Sequence, residues 1–215
     1  AVLDRPTRQP VRVFLPLSAQ SGSAEQDAAM LVAEIERLGG FDRGVLVLSA
    51  PTGDGYVSYV HTETVELLTE GDCATAVVQY NQVPSAVAFP MRRAAAAAFA
   101  VHARAVATRA RELNPRIRLF VFGESLGSIV ALDAFGPDVA KALAELGYEG
   151  GLYVGVPIFS KTDQALRPRS PEITESGGLQ YAADRLGALA ASPGHLNLTH
   201  PTDPVGTADP TVAVR

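Results

Sequence analysis

Short apolar runs that do not alternate with polar residues recur along this chain, each separated from the next by a stretch with helical spacing. Val11–Leu17, Val45–Ser49, Ala74–Tyr80, Arg118–Phe122, Gly151–Val156 and Leu196–His200 all have strand length. A strand with one wet face alternates apolar and polar residues; a continuous apolar run needs cover on both faces. Between the runs, Ala24–Leu38 places Met30, Leu31, Ile35 and Leu38 at helical steps, and Gly39-Gly40 closes it. Val60–Leu68 is a shorter helical segment with Val65 and Leu68 on one face. Arg92–Leu113 carries Phe99, Val106, Ala110 and Leu113 on one side and ends at Asn114-Pro115. The expected architecture is a doubly wound α/β fold: a mainly parallel sheet covered on both faces, in a three-layer sandwich. Residues 1–215 are expected to form a single domain. Ser160–Gly178, polar and proline-rich, is expected as an irregular excursion, with a helix at Tyr181–Leu189 after it.

Inside this pattern, Leu119–Phe122 runs straight into Gly123-Glu-Ser125-Leu-Gly127, and helix-forming residues follow from Leu126. Gly-x-Ser-x-Gly between a buried strand and a helix is the pattern of a nucleophile elbow. In so tight a turn, side chains at Gly123 or Gly127 would collide with neighbouring backbone. Ser125 would sit strained at the apex with its hydroxyl exposed, and the Leu126 amide, at the helix start, would be free to hold an oxyanion. The pentapeptide alone is a weak signal; the strand before it and the helix after it carry the assignment.

Composition narrows the function further. With 47% hydrophobic and 19% charged residues, the chain is globular. A net charge of −5 argues against a nucleic-acid partner, which needs clustered basic residues. Cys73 is the sole cysteine, expected as a small buried residue before a strand. No apolar stretch reaches the roughly 18–20 residues needed to span a bilayer. No cofactor motif occurs. His195, His200 and Asp203 do not amount to a metal site, because neither HExxH nor CxxC is present.

In a parallel sheet, ligands bind beyond the carboxyl ends of the strands. After the first run come Ser18, Ala19, Gln20 and Ser21, where Ser18 is expected to offer a second oxyanion amide and Ser23 to cap the next helix. Thr52, Asp54 and Tyr56 follow the second run in what is equally a plain turn. Asp203 follows the last run, where the orienting acid of a Ser…Asp…His order belongs. That order asks for a later histidine, and the sequence has none. His102 is expected to be solvated, His61 to lie at the surface, and His195 to enter the last strand at the wrong end. Either His200 is the base, oriented by Asp203, or the base lies in a segment outside these residues; the second is favoured. Asn197-Leu-Thr199 matches a glycosylation acceptor but falls inside a buried strand.

Together these blocks resemble a bacterial alpha/beta-hydrolase family whose members carry a membrane-spanning N-terminal region before a soluble catalytic domain. The likeness lies in Val11–Ala19, Glu34–Arg43, Ser49–Tyr56, Gly71–Thr75, Gln79-Tyr80, Phe122–Ser128 and His200–Val205. It implies Ser125 as nucleophile and Asp203 as its acid, a soluble domain that associates with a membrane through the N-terminal region of its relatives, and a Gly-His-rich segment beyond Arg215 as the source of the base. The expected activity is serine-dependent hydrolysis of a small-molecule ester or thioester, lipid-derived by the membrane link. The competing expectation is a non-catalytic or partner-completed binding domain on the same fold.

Overall fold

The computed structural model describes residues 8–167, 175–182 and 194–199. In chain order its elements are β1 (Val11–Leu15), α1 (Ala24–Arg37), β2 (Val45–Ala50), α2 (Tyr59–Leu68), β3 (Cys73–Val78), α3 (Ser85–Ala88), α4 (Arg92–Leu113), β4 (Arg118–Glu124), α5 (Leu126–Asp133), α6 (Val139–Glu145), β5 (Tyr148–Val154), α7 (Lys161–Leu166), β6 (Glu175–Ser176), β7 (Leu179–Ala182) and β8 (His195–Leu198). The strands form one sheet in the order β1-β3-β2-β4-β5-β8-β7-β6. Every pair is parallel except β6 with β7.

The uninterrupted apolar runs are the central strands. β3 is buried at every position and β2 at all but its first. β1, by contrast, reads buried–exposed–buried–exposed–buried, because it is an edge strand with Arg12 and Phe14 turned outward. Ser23 caps α1 by accepting from the Gln26 amide at 3.5 Å. Gly39, at φ 72°, occupies the left-handed position that ends the helix.

The helices are shared unequally between the two faces. α1 packs on α4, α4 on α5, and α5 on α7, making one continuous layer. Gly123 of β4 faces α5, since a Cβ there would lie 2.8 Å from the Cα of Ser128. Its neighbour Phe122 therefore points to the opposite face, where the imidazole of His61 on α2 stacks on it at 3.6 Å. Among the described residues α2 is the helix of that second layer, and none of its side chains is fully buried. An apolar groove of about 380 Å³ runs beside it, lined by Val47, Val65, Phe120, Leu152 and Leu196.

Several local expectations are corrected. His102 is buried, not solvated: three residues after Phe99 and four before Val106, it falls on the same helical stripe. His61 is half-buried against Phe122 instead of lying at the surface. The excursion at 160–178 contains α7 and β6, and Tyr181 belongs to strand β7, not to a helix. Cys73 is buried at the start of β3, as expected. Asn197 is also buried, and its side-chain amide donates to Asp163 Oδ1 at 2.7 Å, so it is no glycan acceptor in the folded chain.

His195, at the amino end of β8, is 5% exposed and lies 3.3 Å from the Tyr153 hydroxyl. Burial pushes its pKa from 6.5 down to about 4. The folded protein holds this ring neutral while the unfolded chain protonates it below about 6.5. The stabilisation is therefore complete above pH 6.5 and is lost as the pH falls toward about 4, to a total of about 3 kcal/mol. Urea midpoints measured between pH 7 and 4 should fall along this window, and His195→Gln should flatten the decline.

Candidate active site

Ser125 stands between β4 and α5 with φ 53° and ψ −123°. For a residue with a Cβ this conformation is costly, of order 1–3 kcal/mol, and persists only where surrounding contacts impose it. Here both backbone groups of Ser125 are tied. Its amide donates to Val154 O on β5 at 2.9 Å, extending the β4–β5 ladder by one residue. Its carbonyl accepts from the Ser128 amide at 3.0 Å and the Ser128 hydroxyl at 2.5 Å. The Ser125 hydroxyl caps no amide of α5. With Leu126 at the first helical position, its amide has no acceptor inside the helix and points toward the strand–helix junction.

The two glycines earn their places through proximity, since neither has positive φ. A Cβ on Gly127 would lie 2.2 Å from Ala50 O and 2.7 Å from Pro51 O; one on Gly123 would lie 2.7 Å from Gly127 O. The first turn of α5 thus rests on the backbone at the carboxyl end of β2. Strand, strained serine and helix have the geometry that a nucleophile elbow requires.

The same contact shows which loop lies beside the elbow. Ser18 lies exposed in a short 3-10 turn after β1, and β3 and β2 stand between β1 and β4. At roughly 4.8 Å per strand, that rim is on the order of 14 Å from the elbow strand. The loop set against the elbow is Pro51–Asp54 after β2. There the Thr52 hydroxyl bonds the Asp54 carboxylate, and the Gly53 amide donates to Ser85 Oγ at 3.2 Å. Gln79 links the two loops, accepting from the Leu17 amide at 3.2 Å and donating to Asp54 O at 3.4 Å. Sequence alone could not show this, because strand order decides which loop flanks the serine.

His200 and Asp203 lie outside the described residues. Of the described histidines, none hydrogen-bonds Ser125: His61 stacks on Phe122, His102 is held within α4, and His195 is at the far end of β8. Beside the elbow, burial raises the Glu124 carboxyl above its ordinary value, and one of its oxygens is buried without a partner. Sequence patterns gave no signal for that. Among the described residues no cluster of His, Cys, Asp and Glu could hold a metal ion, and no helix is long and apolar enough to cross a membrane.

The sequence pattern of an alpha/beta-hydrolase family matches residues 11–214, and the chain belongs to that family. Among solved structures it is similar to an acetylxylan esterase at 0.90 Å resolution, with 13% identity and a TM-score of 0.48. It is similar also to an iodinated complex of acetyl xylan esterase at 1.80 Å, with 11% identity and the same TM-score. Each likeness covers 80% of this chain and 88% of the other. No curated protein matches it in sequence.

If the helix–loop contact holds the elbow, Gly127→Ala should destabilise the fold despite alanine's better helix propensity. The propensity gain is about 1 kcal/mol, while backbone displacement around a 2.2 Å clash costs about 3 kcal/mol or more. The net loss, about 2 kcal/mol, is readable from urea unfolding; an unchanged midpoint would refute the contact's role.

Proposed function

We propose that this protein is a serine hydrolase that cleaves a carboxylic ester or thioester through an acyl-enzyme on Ser125. The observation that carries this reading is the forced backbone of Ser125, φ 53°, with its amide and carbonyl tied and its hydroxyl free of the helix. A strained serine at the carboxyl edge of a parallel sheet fits a nucleophile better than a turn residue, because a turn at this point would take glycine at no steric cost.

In the proposed reaction the Ser125 hydroxyl attacks the substrate carbonyl and its proton passes to an imidazole. The tetrahedral oxyanion is held by the Leu126 amide and by a donor from Pro51–Asp54, which takes the place expected for Ser18. Collapse breaks the bond to the alcohol or thiol, which leaves with the imidazole proton. Water then adds to the acyl-enzyme, gives a proton to the same imidazole, and the carboxylic acid is released as Ser125 is regenerated. Asp203 is the proposed acid that orients the imidazole. The imidazole is His200 or a histidine beyond Arg215, the latter favoured because Pro201 biases His200 to extended backbone within the strand pattern. A lipid-derived substrate is proposed from the resemblance to membrane-linked relatives.

An active-site fluorophosphonate should label Ser125 and leave Ser125→Ala unlabelled, as read by mass spectrometry of the modified peptide. Absence of labelling on the folded protein would favour a binding domain on a hydrolase fold. With short p-nitrophenyl esters and protein that includes the proposed imidazole, Ser125→Ala should lower kcat at least 10³-fold, a loss of about 4 kcal/mol of transition-state stabilisation. Turnover by these residues that disappears in His200→Ala would identify His200 as the base.

A further inference from the structure

Two loops at the carboxyl edge of the sheet meet beside the elbow, and neither carries a charged side chain. One is residues 81–91 after β3; the other is residues 155–160 after β5, the strand whose Val154 carbonyl holds the Ser125 amide. In a chain with 19% charged residues, two neutral segments flanking one serine set that rim apart.

The loops are fixed to the elbow and to each other by their inner sides. Ala88 packs with Leu126 and Ile129 of α5, and Val83 and Phe89 pack against that cluster. The Gly53 amide bonds Ser85 Oγ at 3.2 Å, so α3 also rests on the loop after β2. Phe89 meets Phe159 of the second loop edge to face, with ring centres 5.2 Å apart. Arg92 fastens the far end, lying 3.7 Å over the Phe89 ring and donating to Phe89 O at 2.9 Å.

With those contacts made, the outer sides are left to solvent. Val87 is 64% exposed, Met91 55% and Phe159 44%. Val87 and Met91 lie in α3 and the 3-10 turn after it and are both exposed, whereas Ala88 between them is buried. Scattered exposed apolar residues are ordinary; a neutral apolar rim braced against a strained serine is not. Most polar side chains here are already engaged: Ser85 accepts from Gly53, Asn81 accepts from the Gln82 amide and donates to Met91 Sδ at 2.7 Å, and Ser160 donates to Asp133, while Gln82 is exposed. That leaves little hydrogen-bonding capacity for a sugar and much apolar surface for methylenes.

We infer that the rim formed by Val87, Met91 and Phe159 receives the alkyl chain of a medium- or long-chain acyl group whose carbonyl lies at Ser125. This rests on the hydrolase reading above and adds the acyl class and the residues that recognise it. Chain length is then discriminated outside the elbow, by surface that a butyryl group is too short to cover.

The test is a binding comparison that needs no turnover. Calorimetry with the 215-residue chain should give decanoate an affinity at least tenfold above butyrate. In Val87→Asp/Phe159→Asp the ratio should fall below threefold, with an unchanged melting temperature as the check on folding. Equal affinities for the two acids, or a ratio untouched by the substitutions, would overturn the inference. So would flotation with phosphatidylcholine vesicles without chain-length discrimination, which would assign the rim to a bilayer surface. A decanoate preference lost in the double variant supports the alkyl site by itself; if Ser125 then resists fluorophosphonate even in protein that includes the proposed imidazole, the alkyl site stands and the hydrolase reading falls.

Discussion

Everything at this site depends on how closely the first turn of α5 approaches the end of β2. Gly127 lies so near Ala50 O and Pro51 O that no side chain fits between them. That approach fixes where α5 begins, and the chain must turn from β4 into it within a single residue. Ser125 takes up the strain, because Val154 on one side and Ser128 on the other hold its amide and carbonyl. The cost, on the order of 1–3 kcal/mol, is met by α5, which is buried at every position from Leu126 to Leu132. A serine on a less deeply buried helix would relax into an ordinary turn.

The parts legible in the sequence were those in which local pattern and burial agree. Apolar runs that could not alternate announced central parallel strands, and Gly123–Gly127 announced the elbow, because each glycine answers a steric demand close by in the chain. What escaped depended on assembly. Ser18 sat after the right kind of strand, yet the order β1-β3-β2-β4 gives the place beside the serine to the loop after β2. His102 looked solvated because histidine is polar, although its spacing from Phe99 and Val106 already put it on the buried stripe. Tyr181 escapes for a related reason: a strand of four residues such as β7 is too short to establish a period.

The same distinction applies to the layers. A doubly wound sheet could be expected from the alternation of elements, but not how unequally its faces would be dressed. Right-handed crossovers place each helix according to the direction in which the chain moves across the sheet. Here β2 to β3 moves back toward the β1 edge through a described helical connection, so α2 falls alone on its face among the described helices. The exposure of Leu68 at its end and the stacking of His61 on Phe122 both follow from that step.

One feature of the sheet bears on how the protein behaves in concentrated solution. A parallel sheet exposes unpaired amides and carbonyls at its two margins, and such margins recruit strands from other molecules. Among the described residues β6 forms one margin with two residues running against its neighbour, a short template for another chain. At the other, β1 offers five, but its outward Arg12 is gripped by Glu66 through paired bonds of 2.6 and 2.7 Å. A strand arriving at β1 would have to accommodate that ion pair and its water. Among the described residues, brevity limits one side as a template for strand addition and charge limits the other.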